Sequence, residues 1–166
     1  MKRNFGYAIA VGFAALMLVN TAIARSACTI QDAPVYRGLA LGMSRKQFLA
    51  RFPGTRPINM LNREQLSRVQ GFSGLEMLAF RMSADKLDQF EIRHAGLSGG
   101  MERLTRRISR ELGLPHDAWE VSDTKAEMTC LTFRVTADTE TNGFTLTDLA
   151  ADENWKKMRE KAERRN

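Results

Sequence analysis

The chain has 166 residues and a formal net charge of +6, with 2 cysteines and 2 histidines. That length suits one domain. The cysteine count excludes a disulfide-dense scaffold, and the charge bias permits attraction to anionic surfaces without demanding nucleic acid.

The first two dozen residues read as an address. Lys2 and Arg3 form a basic start, residues 5–19 are continuously apolar, and Ala22-Ile23-Ala24 supplies the small-residue pattern of a signal-peptidase site. Residues 1–24 are thus expected to be a signal peptide, with the mature chain starting at Arg25. Two other readings exist. The apolar stretch is long enough for an uncleaved anchor, but Asn20 and Thr21 break its end. A lipoprotein acylated at Cys28 would have small residues before the cysteine, but an Arg where the lipobox wants Leu. No later stretch is long and apolar enough to span a membrane. The expected localisation is periplasmic or secreted. In such an oxidising compartment two lone cysteines tend to pair, which makes a Cys28–Cys130 disulfide an expectation, with two free thiols as the alternative.

Along the mature chain, residues 33–41 read as a first strand ended by Gly42. Ser44 with Gln47 is a capping box, and Met43 with Phe48 a hydrophobic staple; Pro53 stops this short helix. Asn62, Gln65, Leu61 and Leu66 repeat the same arrangement in a second short helix. Residues 75–82 and 86–94 are strands joined at Ser83-Ala84-Asp85, with Leu78, Phe80 and Met82 on one face and Phe90 and Ile92 on one face. A helix over 101–112 follows, with Met101, Leu104, Ile108 and Leu112 inward, Ser98 as N-cap, and Gly113 and Pro115 at its end. Residues 128–136 form a strand with Leu131, Phe133 and Val135 alternating. Asn142-Gly143 turns the chain into a return strand through Phe144 and Leu146. The tail is charged and helical, with a weak stripe of Trp155, Met158 and Ala162. The expected fold is α+β: an antiparallel sheet of four to five strands, two short helices and one longer helix packed on it, and a charged C-terminal helix. The domain spans 25–150 and the tail 151–166.

Catalytic patterns are missing. No G-x-S-x-G is present, and Cys28 and Cys130 have no base spaced to activate them. His94 and His116 lie far apart without ligand spacing, so no metal site and no cofactor are expected, and both histidines are expected at the surface. The Leu97-Ser98-Gly99-Gly100 run lacks the rest of a phosphate-binding loop. Asp85, Asp88 and Glu91 cluster near the first hairpin, which allows a second reading as an envelope hydrolase using carboxylate acid–base chemistry. One further feature stands out: Arg103, Arg106, Arg107 and Arg110 recur at helical spacing, opposite the apolar stripe. Such a stripe is a solvated face or an anion-binding ladder, and its lack of interleaved aromatics disfavours single-stranded nucleic acid.

The run Arg37-Gly38-Leu39-Ala40-Leu41-Gly42-Met43-Ser44, with Arg51-Phe52-Pro53-Gly54, resembles the start of a group of small exported bacterial proteins of unknown function. Asp85-Lys86-Leu87, Leu112-Gly113-Leu114-Pro115, Met128-Thr129-Cys130 and Leu146-Thr147-Asp148 resemble later pieces of the same group. The Gly42-Met43-Ser44 helix start is also similar to outer-membrane assembly lipoproteins of the SmpA/OmlA type and to the repeats of β-lactamase inhibitor proteins. That resemblance implies a helix pair on an antiparallel sheet and an envelope interaction module without catalytic residues. The resulting expectation is a non-catalytic binding module whose partner is an envelope protein or an anionic envelope component.

Overall fold

The computed structural model describes residues 28–53, 59–96 and 99–164. The signal-peptide reading of residues 1–24 and the Ser98 cap lie outside them. Of the described residues about 31% are helix and 33% strand, arranged as β1 (Met60–Asn62), β2 (Leu75–Ser83), β3 (Lys86–His94), β4 (Glu120–Val121), β5 (Lys125–Thr129), β6 (Phe133–Asp138) and β7 (Gly143–Asp148), with α1 (Arg45–Arg51), α2 (Arg63–Ser67), α3 (Gly100–Leu112) and α4 (Leu149–Glu163). All seven strands join one antiparallel sheet in the order β1-β2-β3-β7-β6-β5-β4.

The expectation of four to five strands is therefore corrected to seven, for three local reasons. Residues 33–41 are not a strand. Arg37 (φ 49°) and Gly38 (φ 82°) turn the chain so that Tyr36 and Leu39 exchange backbone hydrogen bonds; both of those side chains point inward, while Val35 is exposed. The single strand read over 128–136 is two strands, β5 and β6, folded at residues 130–132. Cys130 is bonded to Cys28 there, Leu131 N–H donates to Ile30 O, and the Thr132 hydroxyl donates to Gln31 O. These contacts come from a hundred residues upstream, so no local alternation reports them. β1 and β4 span only three and two residues, too short for a periodic signal.

Both expected capping boxes form. Ser44 and Gln47 close α1, and Asn62 and Gln65 close α2, each with reciprocal side-chain-to-backbone bonds. Gly113 ends α3 in the left-handed conformation (φ 66°), as the αL cap requires. Ala84 and Asp85 carry the positive φ of a two-residue hairpin turn.

One sheet face is closed. Leu78, Phe90, Ile92, Phe144, Leu146, Val135 and Phe133 are essentially inaccessible, and Phe48, Leu66, Ile108 and Leu112 of the helices pack in the same cluster. Aromatic contacts weld α1 to the sheet, with Phe48 centred 4.4 Å from Phe80 and 4.7 Å from Phe52. The other side binds α4 by polar contacts. A bulge opposite Arg81–Met82 leaves Asp88 outside the regular pairing. Its buried carboxylate accepts from Arg81 Nε (3.0 Å), Trp155 Nε1 (3.0 Å) and the Ser83 hydroxyl. Asp152, one turn earlier on α4, accepts from Arg134 (3.1 Å) and pairs with Lys156 (3.4 Å) and Arg81 (3.6 Å). Burial alone would raise the Asp152 pKa; the hydrogen bond and charge of Lys156, with Arg134 and Arg81, more than offset it and hold the carboxyl below its ordinary value.

Two stability measurements follow. Gly143 sits where a Cβ would lie 2.1 Å from Ile92 O, a backbone atom of the paired strand, so Gly143→Ala is expected to destabilise by about 3 kcal/mol in denaturant unfolding; an unchanged midpoint would contradict the close approach. Cys28 and Cys130 are 102 residues apart, so replacing both by Ser should lower stability by up to about 4–5 kcal/mol, and equal midpoints for the oxidised protein and the double variant would show that the bridge does not constrain the unfolded chain.

Candidate functional site

The four arginines of α3 do not form a plain solvated face. Arg103, Arg106, Arg107 and Arg110, together with Gly99, Gly100, Leu104 and Glu111, form one wall of a cleft of about 560 Å³ whose opposite side is Thr139 and Asn142 of the β6–β7 turn. α3 sets the first wall because its apolar positions Leu104, Ile108 and Leu112 are buried against the sheet, which turns the arginine stripe toward the cleft and solvent. The second wall is fixed by Asn142, whose positive φ (50°) makes the tight turn before Gly143.

The arginines are differently engaged. Arg106 pairs with Glu102 at 2.6 Å on the exposed side of the helix, a contact worth under about 1 kcal/mol. Arg107 is half-buried and donates through Nε to Glu111 at 2.7 Å. Its Nη2 lies 3.2 Å from His94 Nδ1. Arg110 is exposed and makes no ion pair among the described residues. Arg103 lies over Gly99, where a Cβ would come within 2.4 Å of its Cδ.

His94 is a correction. Expected at the surface, it is 1% exposed, because it continues the inward alternation of Phe90 and Ile92 on β3. Its backbone is bonded to the far wall of the cleft: Asn142 Nδ2 donates to His94 O (3.0 Å) and His94 N donates to Asn142 O (3.1 Å). Because Arg107 can only donate, Nδ1 must accept, which places the proton of the neutral ring on Nε2. Nε2 faces Glu111 Oε2 at 3.9 Å, too far for a hydrogen bond. Tyr36 is buried against Phe144 (ring centroids 5.1 Å). Tyr36 Oη, His94 Nε2 and Glu111 Oε2 are sealed from solvent without a hydrogen-bond partner among the described residues. Burial, then the charge of Arg107, pushes the His94 pKa down to about 4, against a smaller upward pull from Glu111. Burial, then the Glu111 charge, raises that of Tyr36.

The remaining sequence candidates do not converge. Asp85 lies at the hairpin tip, paired with Arg45 (2.8 Å); Asp88 is in the α4 docking network; Glu91 pairs with Arg93 (2.7 Å). None of them lines the arginine cleft. His116 is exposed after Pro115. Among the described residues no group of three or more His, Cys, Asp or Glu is placed to hold a metal ion, and no helix is long and apolar enough to cross a membrane. The Cys28 sulfur is bonded to Cys130, so in this form it has no thiol to acylate.

Sequence reasoning found the arginine wall and the turn, but not Tyr36, Glu111, Thr139 or the inward face of His94. Only His94 had a usable signal, its place two and four residues beyond Ile92 and Phe90. Comparison with protein families, with characterised proteins and with solved structures finds no match to this chain.

The buried neutral imidazole gives a pH signature. The folded-state His94 pKa is about 4 against an ordinary 6.5, so the unfolded chain binds the proton first. The His94 contribution is intact above pH 6.5, is lost progressively as the pH falls towards 4, and levels off below that, for a total on the order of 3 kcal/mol. Chemical denaturation across this range should show that slope, and His94→Gln should flatten it; an identical slope in the variant would place the titration elsewhere.

Proposed function

We propose that the protein is a non-catalytic, exported binding module whose arginine cleft holds an anionic component of the cell envelope. The observation that carries this reading is the gathering of four guanidinium groups on one side of a single cleft, of which Arg110 is exposed and makes no ion pair among the described residues. A guanidinium offers several N–H donors in a fixed plane and suits carboxylate and phosphate oxygens. The concave shape favours a ligand over a solvated face, and the volume falls within the roughly 300–1,000 Å³ of ligand sites.

Export is supported by the disulfide between Cys28 and Cys130, which persists in oxidising compartments, and by the leader pattern of residues 1–24. The resemblance of the Gly42-Met43-Ser44 helix start to envelope modules agrees with a binding role, although a shared local motif does not establish a shared function. The carboxylate hydrolase reading has less support, since Asp85, Asp88 and Glu91 are held in three separate pairings.

The defining test is direct binding of the oxidised chain to polyglutamate, polyphosphate, oligogalacturonate and phosphatidylglycerol vesicles by calorimetry. At least one anion should bind with an affinity that falls as salt rises. Arg106→Glu with Arg110→Glu should weaken it at least about tenfold, while thermal stability stays close to that of the parent because both positions are exposed. No binding to any of the four at 0.1 M salt, or binding indifferent to the double reversal, would sink the reading.

A further inference from the structure

We propose that the cleft is built for a small acidic saccharide: an anionic group held by the α3 arginines on a ring whose hydroxyls donate to the β6–β7 turn. This rests on the reading of the cleft as an anion site and names the chemistry of its ligand.

The argument comes from what each wall has left to offer. The α3 wall offers donors, since guanidinium nitrogens only donate. Its one carboxylate, Glu111, is turned onto Arg107, and its second oxygen is sealed from solvent. The turn wall is mixed. Asn142 uses one amide N–H on His94 O (3.0 Å), which leaves its second N–H as a donor and Oδ1 as an acceptor. Thr139 spends its hydroxyl proton on Thr124 O (3.1 Å), which leaves the lone pairs of Oγ. A ligand suited to the space between therefore presents negative oxygens on one side and groups that can both donate and accept on the other.

An acidic sugar meets both demands. Its carboxylate or phosphate takes the arginines, and each ring hydroxyl can donate to an acceptor or accept from a guanidinium as its position requires. An acidic peptide fits less well. Its N–H and C=O groups are fixed in direction by the backbone, whereas a sugar hydroxyl rotates to donate to Thr139 Oγ or to accept from Asn142 Nδ2. A lipid surface fits least, because the anion site lies within a concave cleft and the apolar lining is limited to Leu104. One group on each wall is fixed before any ligand arrives: Asn142 is bonded twice to His94, and Arg107 is held by Glu111 and His94. Such preorganisation lowers the ordering cost of binding a small, polar molecule.

The full oxidised chain is titrated by calorimetry with trigalacturonate, glucose 6-phosphate, maltotriose and triglutamate. The two acidic sugars separate the carboxylate from the phosphate source of the anion. At least one of them should bind about tenfold more tightly than maltotriose, which lacks the charge, and than triglutamate, which lacks the hydroxyls. Thr139→Val should weaken that sugar several-fold and leave triglutamate unaffected; Arg110→Ala should weaken both. Triglutamate binding as well as either acidic sugar would overturn the saccharide inference while leaving the anion reading intact. The same holds for Thr139→Val binding the sugar as the parent does. If no charged probe binds, the saccharide inference falls, and the anion reading is decided by the polyanion and vesicle titrations.

Discussion

The position of His94 is the constraint on which the site depends. One residue at the end of β3 is fixed by the sheet, and three bonds radiate from it. Two backbone-level bonds hold Asn142, and the ring nitrogen Nδ1 receives Arg107. The two walls of the cleft belong to segments nearly thirty residues apart, yet both are referenced to the same residue, one to its main chain and the other to its ring. The ring can accept Arg107 only while neutral, and its burial keeps it so. The depressed basicity of His94 and the fixed geometry of Arg107 are therefore one fact. A protonated ring would face a guanidinium with no lone pair to offer it.

The two faces of the sheet differ in how far they satisfy buried polarity. On the α4 side, Asp88 remains in contact with three donors, and Asp152 sits among Arg81, Arg134 and Lys156. Burying a carboxylate there is offset by satisfying it. On the α3 side, the polar atoms of Tyr36, His94 and Glu111 are enclosed with incomplete bonding, a state that costs free energy wherever it occurs. The α4 network is the economical solution for fastening a helix whose own apolar stripe is weak: Met158 is exposed and Trp155 engages the sheet through its indole nitrogen. Of the four buried side-chain polar atoms without a hydrogen-bond partner among the described residues, three lie behind the arginine wall and the fourth, Arg81 Nη2, on the α4 side; functional sites are where folds tolerate such cost.

The parts legible in the sequence are those governed by neighbours. Capping boxes at Ser44 and Asn62, the Gly113 stop, the turns at Ala84-Asp85 and Asn142-Gly143, and the arginine spacing on α3 all depend on residues within one or two turns of each other. What was illegible depends on distance. Cys130 looked like mid-strand because Phe133 and Val135 alternate beyond it. Only the bond to Cys28 and the hydrogen bonds from Ile30 and Gln31 explain why the chain folds back there. Residues 33–41 read as a strand because Val35, Arg37 and Leu39 alternate with Tyr36 and Gly38. The Arg37-Gly38 turn reverses that assignment. On α3 the periodicity gave the direction of the four arginines correctly, but nothing local states that residues 139–142 will stand opposite and turn a solvated face into a cleft.

The disulfide and the cleft are linked through the N-terminal segment. Cys28 is tied to the β5–β6 turn, and the chain then runs through Ile30 and Gln31, both bonded to that turn, to the tight reversal that buries Tyr36 on Phe144. Tyr36 and His94 both pack on the Phe144 ring, with centroids at 5.1 and 6.3 Å, and the charge of Glu111 acts on both. The disulfide thus anchors, through the segment from Cys28 to Tyr36, one side of the aromatic packing on Phe144, and His94, which packs on the same Phe144, fixes both walls of the cleft.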